Sequence, residues 1–165
     1  MEKDQIPDWM MEFIENVKKH QIDLPDTPDH ILVILKGHLL VEQEINRLIE
    51  AKVANPNPLN LRGLYGPKFS HKVDLLEALI LKPEPVELWE LCRKLNKLRN
   101  DFGHRLSPND VEKRMDKFTD DVYKVFAVTR MANIMENVLK KDQRDQVQKS
   151  IFYILYSLVC LLHPV

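Results

Sequence analysis

Glycine is scarce in this chain, four residues in 165, and the ten prolines cluster between periodic segments. That balance favours helices. There are two cysteines, Cys92 and Cys160, far apart and in apolar surroundings, with no CxxC or Cys/His pairing. A zinc site is therefore not expected, and both read as small core residues of a protein in a reducing cytosol. No cofactor is expected. The apolar run "IFYILYSLVCLL", Ile151 to Leu162, has 12 residues, short of the roughly 20 that a membrane span needs. It predicts a buried core or subunit-interface helix and no membrane association. The segment "MEKDQIPDWMMEF" lacks the basic region and apolar core of a secretory signal, so a cytoplasmic location is expected. A formal net charge of −1 excludes a protein that coats nucleic acid by bulk electrostatics, and leaves local patches open.

What is present is apolar periodicity. At 165 residues, 44% of them hydrophobic and 30% charged, the chain is one domain's worth and can bury a core without disulfides or metal. A first helix is predicted from Pro7 to about His20, with Trp9, Phe13, Ile14 and Val17 on one face. Thr27 and Pro28 read as an N-cap and first-turn proline for "DHILVILKGHLLVEQEINRLIEAKV", which is apolar on most faces and predicts the central, most buried helix. Ala54 to Lys68 holds three prolines and two glycines and predicts a long loop. Shorter helices follow near Ser70 to Leu81 and from about Val86, the latter striped by Leu88, Leu91, Leu95, Leu98 and Phe102. "SPND", Ser107 to Asp110, caps a further helix, and a last one is predicted from Asp142 to Leu162. No strand candidate appears. The expected fold is all-α, a single up-and-down bundle of five to six helices over residues 1–165.

The striped helix ends in "KLNKLRNDFGHRLSP", Lys94 to Pro108. Between Cys92 and Leu106 the chain carries Arg93, Lys94, Lys97, Arg99 and Arg105 against the single acid Asp101. Arg99, Asn100 and His104 are the residue types that metal-free phosphodiester transfer needs. A histidine titrating near neutrality takes or gives a proton. A guanidinium holds phosphate oxygens by charge-assisted hydrogen bonds and offsets the charge of the transition state. An amide positions either. Residues five apart on an ideal helix point about 140° apart, whereas residues four apart nearly share a face. Asn100 and His104 can therefore meet directly, but Arg99 and His104 cannot do so easily. Either the helix loosens at Gly103 or the site is shared between two copies. The alternative role for the same residues is a plain helix end, with His104 on the last carbonyls and Arg99 a solvated charge.

Arginine, then a polar residue, then histidine four to six residues after the arginine, at the end of a leucine-striped helix in an all-α chain, resembles the HEPN domain family. The resemblance implies a homodimer whose two motifs face one cleft and, in many members, a metal-independent endoribonuclease acting as a toxin or in defence, with RNA as substrate and a cognate antitoxin as a further partner. The implied catalytic residues are Arg99, Asn100 and His104, with Arg93, Lys97, Arg105 and Lys72 as candidate RNA contacts. The chain also resembles bacterial mannitol operon repressors, all-α proteins with an arginine and a histidine at this spacing, which implies a non-catalytic regulator or interaction module. His38 and Glu42, four apart on the second helix, are supporting candidates that can hydrogen-bond to each other, and Gly37 beside them allows another helix close. Trp9 and Trp89 read as core.

Overall fold

The apolar stripes become six α-helices in the computed structural model, which describes residues 8–83, 85–102, 107–127 and 145–162. These are α1 (Asp8–Asp23), α2 (His30–Lys52), α3 (Phe69–Leu79), α4 (Leu88–Phe102), α5 (Pro108–Phe126) and α6 (Gln146–Leu162). No strand occurs among the described residues. The all-α bundle expected from periodicity is the observed architecture.

The most enclosed element is α6 rather than α2. From Val147 to Val159 every α6 residue except Lys149 is buried, and the helix packs against α2 most extensively and against α1, α4 and α5 as well. Ser150 and Ser157 return their hydroxyls to the carbonyls of Gln146 and Tyr153 one turn back, which lets polar side chains sit in the core without orphaned donors. α2 buries Val33, Ile34, Leu40, Val41, Ile45, Leu48 and Ile49 but leaves Ile31, Leu32, Leu35 and Leu39 exposed. Its composition, apolar on most faces, thus reflects one face in the core and one on the surface. The N-cap is Asp29, whose carboxylate accepts from Leu32 N at 3.1 Å. Thr27, expected as the cap, instead accepts from Asp29 N.

α1 contributes Val17 and His20 to the interior; the side chains of Trp9, Phe13 and Ile14 lie outside the described residues, as does Pro7. His20 Nε2 stands 3.1 Å from Glu44 Oε1, both side chains buried, although the contact is off the hydrogen-bond line. Arg47 Nη1 donates to Glu44 and to Asn16 Oδ1, tying α1 to α2. Burial alone would push the Glu44 carboxyl up, but His20 and Arg47 outweigh it and hold it below the usual carboxylate range.

The loop from Ala54 to Lys68 is a succession of turns. A 3₁₀ turn, Asn57–Leu59, ends at Asn60 in the left-handed region (φ 45°). Gly63 N then donates to the Asn60 carbonyl, and Gly66 N to that of Gly63. A side chain at Gly66 would collide with the Asn60 carbonyl oxygen. Leu61 is buried and Arg62 pairs with Glu50, which anchors the loop to α2.

α4 follows its leucine stripe closely: Leu88, Leu91, Leu95 and Leu98 are buried, with Trp89 and Cys92 beside them. Burial pushes the Cys92 thiol up to about 12, so it is an inert core residue. α5 begins as its sequence requires, with Ser107 as N-cap accepting from Asp110 N, and buries Met115, Phe118, Val122 and Phe126. The start predicted at Asp142 for the last helix lies outside the described residues. No helix among the described residues is long and apolar enough to cross a membrane.

Candidate functional site

Arg99 and Asn100 occupy the last turn of α4, both exposed, and Arg99 Nη1 donates to Asn100 Oδ1 at 2.9 Å. His104 and Arg105 lie outside the described residues. The setting of Arg99 is distinctive among the arginines that are described. Arg47 meets Glu44, Arg62 meets Glu50, Arg93 meets Asp74 and Glu77, and Arg114 meets Asp101. Arg99 meets no carboxylate among the described residues. Its guanidinium is held by a neutral amide and keeps its charge and remaining donors available.

Behind Arg99 the helices enclose a polar cluster. His38, 5% exposed, projects from α2 toward α4, and its Nε2 donates to Asn96 Oδ1 at 3.0 Å. Its ring lies against Phe69 of α3, with centroids 4.4 Å apart. Asn96 precedes Arg99 by three residues and Asn100 by four, so all three share one side of α4. Burial is the largest influence on the His38 imidazole and pushes its pKa down. The Asn96 hydrogen bond and Glu42 push it up, Arg99 and Lys72 add to the lowering, and the balance falls below 6.5.

His38 and Glu42 thus share a neighbourhood without the mutual hydrogen bond their spacing allows. Glu42 turns to Lys72 of α3, which donates to it at 2.7 Å. Lys72 is only 2% exposed. This overturns its expected role as an RNA contact, because a buried ammonium already paired with a carboxylate has no free face for a phosphate. Arg93 Nη2 donates to both Asp74 and Glu77, so its charge is already met by two carboxylates. Lys94 donates to Asp121 of α5 at 2.9 Å. Lys97 lines a groove of about 420 Å³ between α4 and α5, floored by Leu98 and Phe118, on the side of α4 away from Arg99. Among the described residues the basic run is therefore distributed around the helix, with Arg93 and Lys94 met by carboxylates.

Sequence reasoning missed Asn96. Its four-residue spacing to Asn100 is a detectable signal, but its partner His38 is 58 residues away. Among the described residues no three His, Cys, Asp or Glu side chains gather where they could hold a metal ion.

No protein-family model, curated protein or solved structure matches this chain. The functional reading therefore stands on the residues themselves.

Proposed function

We propose that the protein is an RNA-binding, metal-independent endoribonuclease of the HEPN type, active as a homodimer in the cytoplasm. The observation that supports it is Arg99: an exposed guanidinium with no carboxylate partner among the described residues, steadied by Asn100, and followed in sequence by Gly103 and His104. In the proposed reaction the 2′-oxygen of RNA bonds to the adjacent phosphorus as the bond to the 5′-oxygen breaks. The 2′-hydroxyl loses its proton to one histidine, and the departing 5′-oxygen gains one. Two motifs, one from each copy, supply both transfers. Arg99 holds the non-bridging oxygens and offsets their growing charge. The exposed stripe Ile31, Leu32, Leu35 and Leu39 on α2 is the apolar surface that favours association.

The test is cleavage of a labelled mixed-sequence RNA in excess EDTA. Cleavage should persist and leave 2′,3′-cyclic phosphate and 5′-hydroxyl ends. His104→Ala should lose activity by roughly the 10²- to 10⁴-fold that acid–base catalysis supplies while binding RNA nearly as well. Arg99→Ala should weaken both. Magnesium dependence, 5′-phosphate ends, or intact RNA at high protein concentration would overturn the reading. In the last case a non-catalytic regulator like the mannitol operon repressors is the alternative.

A further inference from the structure

The ribonuclease mechanism leaves His38 without a task, yet the fold invests in it. The imidazole is buried at the junction of three helices, tilted against the ring of Phe69, and joined through Nε2 to Asn96 one turn before Arg99. The charged groups facing it are Glu42 from its own helix, Lys72 from α3 and Arg99 from α4. α6, which also packs on α2 here, presents the apolar Ile151 beside Gly37.

We propose that His38 is a positioning residue for Arg99, and that its protonation is coupled to the binding of a phosphate-like oxyanion by Arg99. This rests on reading Arg99 as the residue that holds phosphate. The physical chain has two links. Neutral His38 donates to Asn96 and so fixes the turn of α4 from which Arg99 and Asn100 project. A proton added to His38 places a third positive charge in the neighbourhood of Arg99 and Lys72, which oppose it while Glu42 favours it. An oxyanion on Arg99 cancels part of that opposition, so the anion strengthens proton binding at His38. By reciprocity, acidification strengthens anion binding at Arg99. The site becomes a better phosphate binder as pH falls through the His38 titration, without any contact between His38 and the ligand.

The experiment follows the six histidine imidazoles of the full chain by two-dimensional ¹H–¹⁵N spectroscopy, with His38 identified by its absence in His38→Gln. Sulfate is the probe, because its charge is constant over the neutral and mildly acidic range, with chloride matching ionic strength. Without sulfate, Arg99→Gln should raise the His38 titration midpoint, because a like charge that opposes its proton is removed. With sulfate, the wild-type midpoint should rise, and that of Arg99→Gln should stay put. His38→Ala should weaken sulfate binding through loss of the donor to Asn96. His38→Gln, which keeps a neutral donor, should restore the binding but not its pH dependence. A midpoint unchanged by Arg99→Gln overturns the proposal. So does sulfate that binds at Arg99 without moving His38, and that result leaves the ribonuclease reading intact. Conversely, uncleaved RNA together with a sulfate-shifted His38 sinks the ribonuclease and leaves the coupling standing. Failure of sulfate to bind at all removes both the phosphate role of Arg99 and the coupling.

Discussion

Gly37 on α2 lies beneath the side chain of Ile151 on α6, so closely that a methyl group in place of its hydrogen would stand 2.6 Å from Ile151 Cδ1 and 2.7 Å from Cγ2. The most extensive helix pairing in the core thus depends on a missing side chain, as the position of Gly37 beside the His38 turn suggests from sequence. Gly37→Ala brings about 1 kcal/mol of helix propensity, but it forces Ile151 to move, and overpacking costs about 1–3 kcal/mol. The net effect should be destabilising. Ile151→Ala should cost about 2–5 kcal/mol by itself, because the side chain is fully buried. In the double variant the new methyl group occupies space that Ile151 vacated, so urea denaturation should show a loss smaller than the sum of the two single losses. Strict additivity would mean that the two helices do not meet at these residues.

Stability should respond to pH in two separate steps. His38 has a folded pKa below its ordinary 6.5, so between that lowered value and 6.5 the unfolded chain binds more protons than the folded one. Its contribution is therefore complete above about 6.5 and declines as pH falls through this window. Glu44 is a carboxyl held below its ordinary 4.5. Its stabilisation is present above 4.5 and is lost only as the solution is acidified further. Unfolding free energies measured at intervals from pH 8 downward should fall first in the histidine window and again in the carboxyl window. His38→Gln should flatten the first decline and leave the second. An unaltered first decline in His38→Gln would assign it to another histidine.

Association should run through the apolar stripe of α2. Ile31, Leu32, Leu35 and Leu39 are 39–54% exposed and follow one side of the helix, next to the turn that carries His38. Light scattering after size exclusion should give twice the 19.4 kDa chain mass, and Leu35→Glu with Leu39→Glu should return the protein to one chain mass with its helical content unchanged. If the paired glutamates leave the mass at two chains, the interface lies elsewhere. A wild-type monomer at micromolar concentration would remove the shared-site mechanism.

Helix existence was legible in the sequence because each helix carries its own record. The spacing of Leu88, Leu91, Leu95 and Leu98 states which side of α4 is buried, and "SPND" states where α5 begins. Val73 and Leu76 of α3, three apart, are both buried, and the half-buried Ile80 packs against the core while Leu79 is exposed. Pairings between helices were not legible. Lys72 reads as an ordinary surface lysine until α3 is docked on α2 and its ammonium meets Glu42, 30 residues away. Arg93 looks like part of a basic run until α3 brings Asp74 and Glu77 alongside. His38 looks bound to Glu42 four residues on, because a single helix offers no other partner. Which charges survive as open binding groups is set by the docking of one helix on another, and periodicity within a helix does not contain that information. Arg99 and Asn100 were identifiable by type and spacing; that Arg99 has no acidic partner among the described residues was not.

The burial of α6 also has a consequence for how the protein is made. α6 leaves the ribosome after all five of the helices described before it, and α1, α2, α4 and α5 each pack against it. Until residues such as Ile151, Phe152, Ile154, Leu155 and Leu158 emerge, α2, α3, α4 and α5 can pack only on one another, and the faces that α1, α2, α4 and α5 turn to α6 stay open. The nascent chain therefore passes through an interval with those faces in water, a state open to chaperones and to aggregation. A message truncated before codon 146 would yield a bundle lacking the helix on which α1, α2, α4 and α5 all pack, and its product should be a substrate for proteolysis rather than a smaller folded domain.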